Sequence, residues 1–230
     1  MSNKRPTIVA VSGFSSNVGK TTLVCDLLKA LPEWEAIKLS RGHYRSCGKD
    51  PEACCVSELL REEAVVRSGR AENYAVGKDT GRFWEAGATN VHWVIVTDAQ
   101  VEQGIKQALE CVFAPGVFIE GNSFLDFIPA DFVVMVSRAS GGKLKGSARR
   151  ALAYSSAIYL SNASAEGSDG QNQFAVWGKE SGADKLIGDL PIYTQENLPE
   201  LIARLQRMDL SANPSARLIG ETGRTRGLPN

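Results

Sequence analysis

The segment that most restricts the fold of this chain is residues 7–31, where an apolar run, a short loop and an amphipathic segment follow one another without a break. The run from Thr7 to Ser12 is continuously apolar or β-branched, which predicts a central parallel strand buried on both faces. Leucine and valine then recur at helical spacing from Lys20 to Leu31, which predicts a helix that Pro32 helps to end. A buried strand that leads through a loop into a helix indicates an α/β fold.

The loop between this strand and this helix carries glycines at both ends, followed by Lys20, Thr21 and Thr22. The usual phosphate-binding loop has four residues between its glycines, whereas five separate Gly13 from Gly19 here, and Phe14 takes the usual glycine position. Loop amides and the helix start still converge on one point, which favours an anion. The pattern predicts a P-loop for ATP or GTP, with nucleotide contacts from Gly13, Ser16, Asn17, Val18, Gly19, Lys20, Thr21 and Thr22.

Three side chains at the end of this loop have expected roles in binding the phosphates and the metal ion. Lys20 is expected to reach the β- and γ-phosphates as a point charge. The Thr21 hydroxyl is expected to be a direct ligand of Mg²⁺, and Thr22 is expected near the α-phosphate. The site therefore requires Mg²⁺ together with the nucleotide.

Three further polar residues are expected at the same edge of the sheet. Glu120 ends an apolar run and is expected to bind Mg²⁺ directly or through water, because this ion prefers oxygen ligands. Asp79 is expected either to serve the same ion or to cap the helix that follows it, and the two roles are compatible. Lys38 is expected to neutralise charge on the transferring phosphoryl group, with a solvated lysine at a strand end as the alternative.

Short strand-like runs alternate with helical segments along the chain, which predicts one sheet covered by helices. After Arg207 no apolar period remains, so residues 1–207 are expected to form the domain and residues 208–230 a loosely ordered tail. Besides the first strand, the expected strands are Ala36–Leu39, Val91–Thr97, Val117–Ile119, Phe132–Val136, Ala157–Leu160 and Leu190–Tyr193. Leu198–Leu205 is expected to form a closing helix.

Charge and length argue against several classes of protein. The 26 Lys and Arg residues balance 26 Asp and Glu residues, so no overall basic field indicates a nucleic-acid partner. No apolar run reaches the roughly 18 residues that span a bilayer, so no membrane partner is expected. The N-terminus has no signal-peptide pattern, and the five cysteines form no obvious disulfide framework. A cytoplasmic location is expected.

One segment is rich in soft metal ligands: His43, Cys47, Cys54 and Cys55 lie within thirteen residues. Such a set could hold Zn²⁺ or another thiophilic metal. The spacing fits no standard Cys-x2-Cys pair, and redox-active or half-buried thiols are the alternative.

Three motifs carry a resemblance to known families, over roughly residues 6–137. The lengthened Gly-x5-Gly-Lys-Thr loop resembles that of dethiobiotin synthetase and related amidoligases. Residues 77–88, Gly-Lys-Asp-Thr-Gly-Arg-Phe-Trp-Glu-Ala-Gly-Ala, resemble a stretch of molybdopterin-guanine dinucleotide biosynthesis protein B, as does a lysine, here Lys38, at the polar end of its strand. Glu120 followed by Gly121 is similar to both families.

The resemblance implies a single three-layer P-loop NTPase domain, with a mostly parallel sheet of about seven strands and helices on both faces. It implies slow hydrolysis of GTP or ATP, assistance to a partner enzyme of cofactor biosynthesis, and a homodimer. It also implies that Asn162, after a late strand, reads the purine base. Two other functions stay open: an ATP-dependent ligase or kinase acting on a small carboxylate, and a nucleotide-switched metallochaperone or sensor that uses His43 and the cysteines.

Overall fold

The computed structural model describes residues 5–42, 56–142, 144, 146–162 and 169–212. Within these ranges the chain forms one eight-stranded sheet with helices on both faces. The strands are β1 (Thr7–Gly13), β2 (Glu35–Arg41), β3 (Val65–Ser68), β4 (Val91–Val96), β5 (Gly116–Glu120), β6 (Phe132–Ser137), β7 (Ala157–Leu160) and β8 (Ile192–Tyr193). The helices are α1 (Lys20–Ala30), α2 (Arg70–Asn73), α3 (Asp79–Glu85), α4 (Val101–Glu110), α5 (Gly146–Leu152), α6 (Asp169–Ser181), α7 (Asp184–Ile187) and α8 (Leu198–Ala212).

The strands are arranged in the order β3-β4-β2-β5-β1-β6-β7-β8, and every neighbouring pair is parallel except β3 with β4. The predicted α/β class with a mostly parallel sheet is confirmed, and each predicted run contains a strand, although β8 covers only the last two residues of the predicted Leu190–Tyr193. Seven strands were expected, and the additional one, β3, was not predicted. It has only four residues, all half-buried at the edge of the sheet, so it lacks the apolar run that marks a central strand.

Alternation along β1 explains why both faces of the sheet are covered. Val9 and Val11 point into one core, which also holds Leu23 and Leu27 of α1 and Leu201 of α8. The alternate residues Ile8 and Ala10 point the other way. They enter a second core, which also holds Ile105 of α4 and Phe174 of α6. Because successive residues of a strand face opposite sides, an uninterrupted apolar strand requires helices on both.

The last helix is longer than the sequence predicted, since α8 continues to Ala212 rather than ending near Leu205. Met208 packs, partly buried, against the same core as α1, which extends the apolar face of the helix by about one turn. Residues 213–230 lie outside the described part of the chain. None of the helices described is both long enough and apolar enough to cross a bilayer.

Candidate phosphate-binding cleft

The predicted succession of strand, loop and helix is confirmed, with β1 ending at Gly13 and α1 beginning at Lys20. Gly19 is the N-cap of α1 and makes no side-chain capping bond to this helix. The amides at the start of a helix favour an anion. Gly19 has φ 95°, and a Cβ there would lie 2.9 Å from Cβ of Ser161, so both backbone conformation and space require glycine.

Phe14, which takes the usual glycine position of the lengthened loop, is packed into the core. Its ring is fully buried, and its centroid lies 5.9 Å from that of Phe174 and 5.4 Å from that of Trp177. The residue at the usual glycine position is therefore part of the core below the sheet edge. Val18 is also buried, at 2% exposure, so it can contact a nucleotide only through its backbone.

Side chains from the ends of the two strands that flank β1 hold the loop in place. The Asn122 amide, after β5, accepts from Gly13 N at 2.9 Å and donates to Gly13 O at 2.8 Å. Arg138, after β6, donates through Nη2 to Asn17 O at 3.0 Å. Within the loop, Lys20 Nζ donates to Ser15 O at 3.1 Å. The sequence did not predict that Asn122 or Arg138 holds the loop, although each is a polar residue just past a buried strand.

Lys38 lies at the centre of a charged cluster beside the loop. The register of β2 with β5 pairs Lys38 with Glu120, and Lys38 Nζ donates to Glu120 Oε1 at 2.6 Å. The same ammonium group lies 2.5 Å from Asp79 Oδ2. Thr21 Oγ1 donates to the other oxygen of Glu120 at 2.9 Å. Four separate regions of the chain, α1, β2, α3 and β5, thus bring one ammonium group, two carboxylates and one hydroxyl together.

The environment of this cluster keeps Lys38 and Asp79 charged. Burial alone would lower the pKa of Lys38, but the carboxylates of Glu120 and Asp79 outweigh it and raise that pKa above its usual value. Burial would likewise raise the pKa of Asp79, whereas the charge and the hydrogen bond of Lys38 bring it below its usual value. Lys38 therefore remains an ammonium group and Asp79 a carboxylate at neutral pH.

Helix α3 brings both Asp79 and Arg82 to the cleft. Lys78 is the N-cap of this helix, so Asp79 does not have the capping role expected as an alternative. Its carboxylate, in the first turn, turns instead to the buried ammonium group of Lys38. One turn further on, Arg82 Nη2 donates to Thr22 Oγ1 at 3.1 Å, a contact that the sequence did not predict.

These residues enclose a cleft of about 430 Å³. Asn162 is exposed after β7 and is not among the residues that line it. Arg82 lines the cleft. The predicted residues that line it as well are Ser16, Asn17, Gly19, Lys20, Thr21, Thr22, Lys38, Asp79 and Glu120.

The predicted soft-metal set cannot be placed, because His43, Cys47, Cys54 and Cys55 all lie outside the described residues. In the described part of the chain, no group of three or more His, Cys, Asp and Glu side chains is arranged to hold a metal ion. Thr21, Asp79 and Glu120 offer one hydroxyl and two carboxylates, and such hard oxygen donors fit Mg²⁺, which keeps several of its waters.

A glycine loop between a buried parallel strand and a helix that opens with Lys-Thr defines the P-loop NTPase fold. No protein-family model matches this chain, and no curated protein sequence matches it. Among solved structures, HypB from Helicobacter pylori, determined in complex with nickel, is similar to it with a TM-score of 0.52 and 12% identity, over 90% of this chain and 88% of that one. A plasmid partition protein from Borrelia burgdorferi reaches a TM-score of 0.41 and 11% identity, over 90% and 99% of the two chains. The likeness to HypB shows the fold.

Proposed function

We propose that this chain binds ATP or GTP together with Mg²⁺ and hydrolyses the nucleotide slowly. The observation that carries this proposal is the cluster of Lys38, Asp79, Glu120 and Thr21 at the mouth of the P-loop. A structural ion pair needs only two partners, whereas this cluster gathers the hydroxyl and carboxylates that a phosphate-bound Mg²⁺ requires. It also lines the same cleft as Lys20.

Each side chain has a role that follows from its position. Thr21 would hold Mg²⁺ directly, and Glu120 and Asp79 would hold it directly or through water. Bound there, the ion would neutralise negative charge on the phosphates. Lys20 would leave Ser15 O and bind the β- and γ-phosphates. Lys38, once its two carboxylates turn to the ion, would be free to contact the γ-phosphate.

The narrower proposal is that nucleotide turnover assists a partner enzyme in assembling a cofactor of the molybdopterin-guanine dinucleotide type. Its support is that the segment resembling that family, residues 77–88, supplies Asp79 and Arg82 to the cleft. The proposal includes a homodimer, which light scattering on the purified protein tests directly. We propose Asn162 as the residue that reads the purine base.

Calorimetric titration of ATP and of GTP with Mg²⁺ tests the main proposal. One nucleotide should bind the native protein, and Lys20→Ala should weaken it by roughly 10- to 100-fold, because hydrogen bonds from a charged donor are worth about 1.5–3 kcal/mol. Lys106→Ala, on the exposed side of α4, is the matched control and should leave affinity unchanged. Equal affinity of Lys20→Ala and native protein, or no binding of either nucleotide, would contradict the proposal.

A further inference from the structure

A second cavity, of about 350 Å³, adjoins the phosphate-binding cleft. The two share Lys38 and Asp79, so the ammonium group of Lys38 lies at the boundary between them. The volume falls within the range of small-molecule sites. The cavity is lined by Lys38, Ser40, Val56, Asn73, Ala75, Gly77, Lys78, Asp79, Thr80 and Trp93.

The walls away from Lys38 offer a ligand mainly apolar contacts. Val56, Ala75 and the half-buried ring of Trp93 provide apolar surface. The polar groups there are engaged within the fold: Asn73 donates to two backbone carbonyl oxygens and accepts from Trp84, and the Thr80 hydroxyl donates to Asn73 O. A ligand of this cavity would therefore need an apolar body.

Donors for a ligand are concentrated at the end near Lys38. The ammonium group has three N–H donors, of which two go to Glu120 and Asp79. Ser40 Oγ accepts from Trp93 Nε1 at 2.9 Å, which leaves the hydroxyl its own proton to donate. Lys78 adds a positive charge at the rim, where it is exposed.

We propose that this cavity binds a small molecule with an apolar body and one anionic oxygen group, placed beside the terminal phosphate of the nucleotide. The proposal rests on the proposed function for one point: Mg²⁺ must draw Glu120 and Asp79 away from Lys38. In the free protein the two carboxylates together outweigh the charge of Lys38. Once they bind the metal ion, the ammonium group is released to an anion, so binding of the small molecule should strengthen with Mg²⁺.

Matched pairs of acid and amide test this proposal. Indole-3-acetate and indole-3-acetamide, and likewise benzoate and benzamide, share a body and differ in charge. They are titrated by ligand-observed NMR into native protein with Mg²⁺ alone, and with Mg²⁺ plus a non-hydrolysable analogue of ATP or GTP. At least one acid should bind about tenfold more tightly than its amide, because a charged acceptor gains a charge-assisted hydrogen bond.

Two variants place the binding in the cavity. Ser40→Ala removes the proposed hydroxyl donor and Lys78→Ala an exposed charge, and each should weaken the acid several-fold while leaving the affinity for Mg²⁺ and nucleotide unchanged. Lys185→Ala, exposed on α7, is the matched control and should change neither affinity. Thermal melting checks that each variant is folded.

The possible outcomes separate the two proposals. If nucleotide binds but no acid does, or if acids and amides bind equally, or if Ser40→Ala and Lys78→Ala both bind the acid like the native protein, the cavity proposal is wrong and the proposed function stands. If neither nucleotide binds the native protein, the proposed function is wrong. The titration with Mg²⁺ alone then still decides whether the cavity takes an acid.

Discussion

Strand β2 carries two clusters of titratable side chains, and they are built in different ways. Near its amino end, Glu35 Oε2 lies 2.7 Å from His92 Nε2, and Glu35 Oε1 accepts from the backbone N–H groups of Phe113 and Ala114 at 3.0 Å each. His92 Nδ1 lies 2.7 Å from Ser68 Oγ. We call this set the amino-end network. The His92 side chain is fully buried and that of Glu35 is 5% exposed.

The cluster at the other end of β2, called here the cleft-end cluster, consists of Lys38, Asp79, Glu120 and Thr21. Within the described residues its hydrogen bonds run between side chains, and the Asp79 side chain is 41% exposed. Side chains can exchange one partner for another by changing rotamer, whereas backbone amides held by the fold cannot. The cleft-end cluster also borders two cavities, while the amino-end network ties β2, β3, β4 and the α4–β5 connection together.

The difference shows that a buried charge does not by itself mark a functional site. Both clusters hold a carboxylate with a basic partner at 2.6–2.7 Å. The two clusters differ in two ways. The hydrogen-bond partners in the cleft-end cluster can turn towards a ligand, and a cavity that could hold the ligand lies beside that cluster. By these criteria we expect the amino-end network to serve stability, and we propose that the cleft-end cluster serves binding.

The largest expected effect is on stability, from Glu35→Ala in the amino-end network. The change leaves buried His92 without its carboxylate and two backbone amides without an acceptor, so the free energy of unfolding should fall by about 3–5 kcal/mol. Urea unfolding measures it. Affinity for Mg²⁺ and nucleotide, measured where the variant is folded, should match that of the native protein.

Two variants serve as controls for this prediction. Glu102→Ala removes an exposed carboxylate that pairs with Lys106 and should cost less than about 1 kcal/mol. Glu35→Gln keeps an acceptor for the amides, and it supplies the comparison if Glu35→Ala does not fold. A folded Glu35 variant that loses nucleotide affinity would break the distinction between the two ends of β2.

The next effect in size is on metal dependence, from Glu120→Gln in the cleft-end cluster. The amide keeps an oxygen for Thr21 but removes the charge, so the gain in nucleotide affinity that Mg²⁺ provides should shrink by roughly tenfold. Calorimetric titration with and without Mg²⁺ measures this gain, and Glu102→Gln is the matched control. The distinction fails if the gain is unchanged, or if stability falls as much as in Glu35→Ala.

The sequence was sufficient for the parallel core of the fold because its strands are uninterrupted apolar runs such as Ile8–Val11. It was insufficient for β3, whose residues are half-buried and pair with β4 only through contacts distant in sequence. The end of α8 was placed too early for a similar reason, since packing of Met208 on the core decides it. Local pattern predicts an element best where burial is complete on both faces.

For the site, the sequence predicted the loop residues because a P-loop is contiguous. The sequence indicated Lys38, Asp79 and Glu120 as separate candidates. It could not predict that Lys38 contacts both carboxylates, because these contacts depend on the register of β2 with β5 and on the placement of α3. Asn122 and Arg138 were missed because their contacts are with loop backbone, which has no sequence signature.

The smallest expected effect is on stability in acid, and both clusters contribute in the same direction. Burial would raise the pKa of Glu35, but His92 and the amides of Phe113 and Ala114 bring it below its usual value. The pKa of Asp79 is also lowered, chiefly by Lys38 against the effect of burial. A lowered pKa gives stability that is present above the pKa of the unfolded chain and is lost as pH falls through the folded pKa.

The free energy of unfolding should therefore decline as pH falls below about 4.5, the ordinary value for Glu35. Glu35→Gln should flatten this decline more than Asp79→Asn, because the Glu35 side chain is 5% exposed whereas that of Asp79 is 41% exposed and screened by solvent. Urea unfolding at a series of pH values between about 3 and 6 measures each slope. If Asp79→Asn flattened the decline as much as Glu35→Gln, the cleft-end cluster would be as much a part of the folded core as the amino-end network, and the division between them would fail.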